Sequence, residues 1–173
     1  MPFSLYDAVV ASNLQILTAV DAVLYKAVAF CVEQGRLESD LIDARLAPDM
    51  LPFGYQVKSC AVHSAGAIEG VKAGSFSPDM SPWPTDVAGL HGVLQAAIAS
   101  LKKLDRETLD ALAERDTKFA FGETIMPFTG ANFLLSFSQP NFYFHATMAY
   151  AILRAQGMKL GKRDFLGMPR IKR

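Results

Sequence analysis

Apolar residues recur at helical spacing along most of the chain. From Ser4, which suits an N-cap with Asp7 three residues on to favour the helix dipole, Leu5, Val9, Ile16, Val20, Val23, Ala27 and Phe30 form one stripe. Gly35 supplies the stop. The pattern predicts a first helix over 4–34, roughly 45 Å long at the usual rise per residue. Val10, Leu14 and Leu17 fall on its other faces, more apolar surface than one groove needs, which points to a homodimer.

Residues 38–45 suit a short helix, broken by Pro48 and Pro52. Asp49 and Pro52 suit the opening of a second long helix, to about Val71. Its Gly54, Ser59, Ser64 and Gly66 are small enough for a neighbouring helix to approach closely. Gly74, Pro78, Pro82 and Pro84 mark a loop carrying the sole tryptophan, Trp83. Thr85 suits the N-cap of a third helix with Val87, Leu90, Leu94, Ile98 and Leu101 along its buried stripe. Asp105 suits the cap of a short helical turn.

Between Lys118 and Phe128 the period changes. Phe119 and Phe121 alternate with Lys118 and Ala120, and Gly122 precedes Thr124-Ile125-Met126, the pattern of a β-hairpin. Thr129 then suits the cap of a last helix over about 130–156, with Gly157 ending it and Pro140 predicting a kink near Ser138. Together these elements predict an all-α fold, a four-helix bundle with a small β-hairpin inserted before the last helix, as one domain over 1–173.

Composition narrows the functional classes. Hydrophobic residues are 51% of the chain and charged residues 20%, so it folds rather than staying disordered. Seventeen basic side chains balance seventeen acidic ones, which removes the basic face of a nucleic-acid binder. Lys159, Lys162, Arg163, Arg170, Lys172 and Arg173 crowd the C-terminal tail and read as a solvated end. Cys31 and Cys60 lie in apolar helical patterns, the usual place of reduced, buried thiols, and argue for a cytoplasmic protein. The N-terminal residues carry no basic region or cleavage site of a signal peptide. Asn13, Gln15, Asp21 and Lys26 interrupt the first apolar stretch, which argues against a membrane span. No Gly-rich phosphate loop, nucleophile elbow, Cys-x-x-Cys pair or His-Glu-x-x-His motif occurs.

Few residues remain to carry chemistry. His63 lies on the small-residue helix face, either as a hydrogen-bonded core histidine or as a functional one. Asn141 and His145 are four apart and share a helix face. Pro140 frees an upstream carbonyl, which Asn141 can bond. Cys60, three residues before His63, reads as a structural thiol or a soft metal donor. Arg45 and Asp49 read as an ion pair and a helix cap, or as a substrate contact. Nothing pairs His91 with the other histidines.

The run from Asn141 through Phe142-Tyr143-Phe144-His145 to Arg154 and Gly157 resembles the last helix of the DinB/YfiT-like bundles. There a His-x-x-x-His pair is followed at fixed spacing by an Arg and a helix-ending Gly; His145 matches the second His, Arg154 the Arg and Gly157 the Gly. Arg45-Leu46-Ala47-Pro48-Asp49-Met50, Pro140-Asn141-Phe142 and the segment from Gly161 to Gly167 resemble a branch described only as a domain of unknown function. The resemblance spans nearly the whole chain. It implies a divalent metal held by one histidine of the second helix and two of the last, and in some members a thiol-dependent transferase or isomerase activity. His63 and His145 match two of those positions, and Asn141 stands at the third.

The expectation is therefore a polar pocket between the second and last helices, built on His63, Asn141 and His145 with Asp49 as a further substrate contact, that binds a small molecule. It serves either a metal-dependent, thiol-linked transferase or isomerase or a non-catalytic ligand-binding or stress-related helper. Zinc, nickel or iron would bind through His63 and His145, with Asn141 as a weak third donor, because an amide oxygen is neutral and hard.

Overall fold

The protein was analysed as a computed structural model that describes residues 4–172; Met1–Phe3 of the signal-peptide reading and Arg173 of the basic tail lie outside the described residues. Ser4 caps the chain's first helical segment as expected, its Oγ accepting from the Asp7 amide at 3.2 Å. That segment comes in two pieces, α1 (Leu5–Ala8) and α2 (Val10–Gln34), bent at Val9, and Gly35 closes it at φ 60°. Val10 and Leu17 are fully buried and Leu14 packs on the core. These three residues thus take part in the chain's own packing, while Tyr25 and Val32 of the same helix stay exposed. The segment Leu5–Gln34 is long and apolar enough to cross a membrane, and half of its most apolar stretch is buried inside the fold.

After α3 (Glu38–Ile42), the second long helix runs as α4 (Phe53–Ala61), a π-helical turn over Val62–Gly66, and α5 (Ala67–Ala73). Pro52 occupies its N-cap position, with no side chain closing it, so Asp49 is not a cap. Of the small residues, Gly54 lets both a loop and a helix approach: a Cβ there would meet Trp83 at 2.5 Å and Ile42 of α3 at 2.8 Å. The third helix, α6 (Val87–Lys102), is capped by Asp86 rather than Thr85. The Asp86 carboxylate accepts from Gly89 N at 2.7 Å and Glu38 Oε2 from Val87 N at 2.9 Å, so two anions sit at the positive end of the helix. Asp105 caps α7 (Arg106–Asp110) as the sequence indicates.

The hairpin is present, as β2 (Asp116–Phe121) and β3 (Thr124–Thr129) around Gly122 at φ 56°. It is not alone. Strand β1 (Ser75–Phe76) pairs in parallel with β2, with Phe76 opposite Phe119, giving a three-stranded sheet in the order β1-β2-β3. Pro127 is tolerated because β3 is an edge. Thr129 then caps α8 (Gly130–Asn132), which passes through a second π-helical turn (Phe133–Ser138) into α9 (Gln139–Ala155). The break expected near Ser138 takes this form, with Pro140 in the first turn of α9, where a missing N–H costs little. Helix α10 (Lys162–Leu166) folds back on α2.

Helix α2 packs on α6 and α9, and α4 packs on α6 and α9. Leu17, Leu24, Phe53, Ile68, Leu90, Leu94, Phe133 and Phe142 fill the space between them, each fully buried and contributing about 1.5–3 kcal/mol by leaving water. The result is a mostly helical fold with a small sheet at the side, and the α4/α9 contact is where the candidate residues meet.

Candidate functional site

Both π-helical turns lie at this contact. A π-turn inserts one extra residue and loosens the carbonyl ladder, and such turns are frequent at functional sites. Here small hydroxyls take up the loosened carbonyls. Ser64 Oγ donates to Cys60 O at 2.6 Å, and Ser138 Oγ reaches across to donate to the His63 carbonyl at 2.9 Å, tying the two turns together. His63 stands in the first turn, while Asn141 and His145 follow the second, so the joined turns set the relative position of all three.

The His63 and His145 rings lie nearly parallel, with centroids 5.4 Å apart and 20° between planes. His145 is 9% exposed, and its Nδ1 is 2.7 Å from Gln56 Oε1. Gln56 is itself buried and donates its Nε2 to Leu51 O at 2.8 Å, so the amide oxygen faces the imidazole. An amide oxygen only accepts. His145 therefore carries its proton on Nδ1 and presents the Nε2 lone pair. His63 Nδ1 is buried without a hydrogen-bond partner. Burial pushes both rings down to about 4, helped at His63 by the neighbouring His145, so both are neutral at physiological pH.

Asn141 Nδ2 donates to Phe137 O at 2.7 Å, the carbonyl four residues upstream. Its oxygen remains for other uses. Asp49, His63, Asn141 and His145 line one cleft of about 460 Å3, together with Gln56 and the aromatic rings of Tyr55, Phe119, Phe137 and Phe144. That volume suits a small ligand. A hollow of about 550 Å3 lies beneath the Pro-rich loop, against Lys58, Val62 and Trp83, while one between α2 and α9 measures about 10 Å3 and holds at most one water. Asp49 is exposed, and among the described residues its carboxylate has neither a hydrogen bond nor an ion pair; Arg45 turns to the Asp43 carbonyl instead of pairing with it.

Cys60 does not join the cleft. It is fully buried, its Sγ donates to Gln56 O, and burial pushes the thiol well above its ordinary value, so it is no thiolate donor. His91 belongs to another region, on α6 facing α2. Its Nδ1 is 2.6 Å from Asp21 Oδ1 and its Nε2 is 3.2 Å from the Tyr25 hydroxyl, while Gln95 donates to the other Asp21 oxygen.

The divalent metal implied by the resemblance needs three donors. Two imidazoles are in place, His63 and His145. The third position offers a neutral amide whose nitrogen is already engaged, and among the described residues no three His, Cys, Asp or Glu side chains gather closely enough to hold a metal. The donors present fall short of a three-ligand centre.

Sequence reasoning missed Gln56, Tyr55, Phe119 and Phe137 as cleft residues, and Asp21 as the partner of His91. Spacing holds one usable signal: Gln56 stands seven residues before His63, two turns along the same helix.

Residues 5–166 match the family described as Domain of unknown function (DUF1993). The fold is similar to that of a DinB family member protein from Shewanella denitrificans, with a TM-score of 0.82 and 26% sequence identity over 98% of this chain and 95% of that one. No curated protein matches the chain. On the extent of the family match and the likeness of the whole fold, the chain belongs to the DUF1993 family and to the DinB-like superfamily.

Proposed function

We propose that this protein is a four-helix DinB-like bundle whose cleft between the second and last long helices binds a small molecule through His145, His63 and Asn141, with Asp49 at the mouth. The observation that supports it most is the fixed tautomer of His145. Gln56 spends its oxygen on Nδ1, and Nε2 is left as a lone pair at the cleft. A neutral imidazole held in this way accepts a hydrogen bond from a ligand hydroxyl, thiol or amine, and can take the proton if a reaction follows. The test is a thermal-shift and NMR screen of small thiols, alcohols and amines against the purified protein. Hits whose shifts fall on the Gln56 and Asn141 side-chain amides support the reading; hits confined to other surfaces count against it.

A second reading, a thiol-linked transferase or isomerase using zinc, nickel or iron on His63 and His145, draws on the pairing of two neutral imidazoles. The two readings part at the donor set. We expect protein purified without a histidine tag to carry well under one metal per chain, because two imidazoles and an amide hold divalent ions weakly. Elemental analysis showing one zinc, nickel or iron per chain, lost in His145→Ala, favours the metalloenzyme. Once an activity is found, His63→Ala and His145→Ala should cost orders of magnitude in rate in an enzyme and only affinity in a binder.

A further inference from the structure

The charges and donors around the cleft point to the class of molecule it takes. Asp49 is the one ionised side chain among the described residues that line it, and no lysine or arginine does so. The lysine on the adjoining helix is already committed. Lys58 is buried and pairs with Asp79 while donating to the Ser81 carbonyl and hydroxyl, on the other side of α4 beneath the Pro-rich loop. A carboxylate or phosphate entering the cleft would give up its hydration, find no cation, and pass Asp49 on the way in.

Two of the polar groups, His145 and Asn141, share a second property: they accept, while the Tyr55 hydroxyl and the single N–H of the neutral His63 ring can donate. His145 Nε2 is a lone pair because Gln56 fixes the proton on Nδ1, and Asn141 has only its oxygen left because its nitrogen donates to Phe137 O. Acceptors that lose their water on ligand binding must be met by donors. The walls are aromatic: Tyr55 and Phe144 lie edge-on to His145, and Phe137 lies against His63 and Phe119. Flat rings and cations pack favourably on such walls.

Building on the proposed small-molecule reading, we propose that the cleft selects a neutral or cationic aromatic molecule bearing an O–H or N–H donor, and rejects carboxylates and phosphates. Asp49 meets the cationic end of an amine ligand. Its carboxylate is free to do so because it neither caps α4 nor pairs with Arg45.

Three probes that share a ring and a two-carbon arm separate the possibilities: 2-phenylethanol, 2-phenylethylamine and phenylacetate. Fragments of this size bind at about millimolar strength, within reach of NMR titration on the full chain. The alcohol and the amine should move the Gln56 and Asn141 side-chain amide resonances, with phenylacetate at least about tenfold weaker. Asp49→Asn should remove any advantage of the amine over the alcohol, and Asp49→Lys should strengthen phenylacetate; both change an exposed side chain and leave the fold intact. Phenylacetate binding in the cleft as well as or better than the alcohol overturns the charge assignment and leaves the small-molecule reading standing. If none of the three moves those amides, both fail together.

Discussion

His145 and His91 begin alike. Each lies between two long helices and each has a hydrogen-bond partner on Nδ1 from a distant part of the chain. The partners differ in charge. His145 faces the neutral amide of Gln56 and keeps Nε2 for the cleft, whereas His91 faces the buried carboxylate of Asp21 and spends Nε2 on Tyr25. The first arrangement engages one nitrogen and leaves the other to act; the second engages both and leaves nothing over. One residue type thus serves as an open site in one place and as a brace between helices in the other. The helix that carries it does not decide which; the partner does.

Acid should break the neutral pair with the largest effect. Both rings titrate near pH 4 in the folded protein against an ordinary value of 6.5, so the unfolded chain binds more protons between these values. Stability is then full above about pH 6.5 and is lost as pH falls toward 4, by on the order of 2–3 kcal/mol for each histidine. Urea unfolding at pH 7.5 and 4.5 measures the loss, and a His63→Gln/His145→Gln variant should show a much flatter profile over this window. An unchanged profile in that variant would show that the histidines are not neutral by burial.

Next in size is Asp21→Ala. It leaves the His91 Nδ1 and Gln95 amide without their acceptor and should cost about 2 kcal/mol in unfolding free energy. The cleft amides of Gln56 and Asn141 should not shift. A change there would mean that the two regions are coupled through α2 and α6.

Converting one site into the other is subtler. Gln56→Glu gives His145 a carboxylate partner of the kind His91 already has, and its titration should move up from about 4. Nitrogen-15 imidazole shifts read both the titration and the tautomer. Gln56→Leu should instead cost about 1 kcal/mol and let the tautomers mix. If the Nδ1–H form persists in Gln56→Leu, Gln56 is not what orients the ring.

Much of the framework was legible because its signals are local. Ser4, Asp105 and Thr129 each cap the helix just beyond them, and the alternation around Phe119 gave the hairpin. The third helix starts one residue later than a Thr85 cap implies, because the Asp86 carboxylate takes the Gly89 amide and Glu38, 49 residues away, takes that of Val87. Strand β1, only two residues long, carries no period to detect. Each π-turn shifts the hydrophobic stripe by a single residue, too small a slip to read among the small residues of 59–67 or the apolar run of 133–137. His63, Asn141 and His145 were found through spacing and family likeness, and the cleft does bring them together. Gln56 and Asp21 were not, because their partners lie 89 and 70 residues away and an interior amide or carboxylate looks, in sequence, like a surface one.

The π-turn at Val62–Gly66 has a geometric consequence for the helix that contains it. The turn absorbs one surplus residue, so each residue beyond it sits about 100° behind the place its number would give it in an unbroken α-helix. Gln56 and Tyr55 can then look toward α9 and the cleft, while Ile68 and Val71, further along, still look into the core. The surplus residue is in this sense confined to the turn that carries His63: removing a single residue from 62–66 would close it into regular α-helix, keep the faces before and after it where they are, and take away the placement of His63 alone.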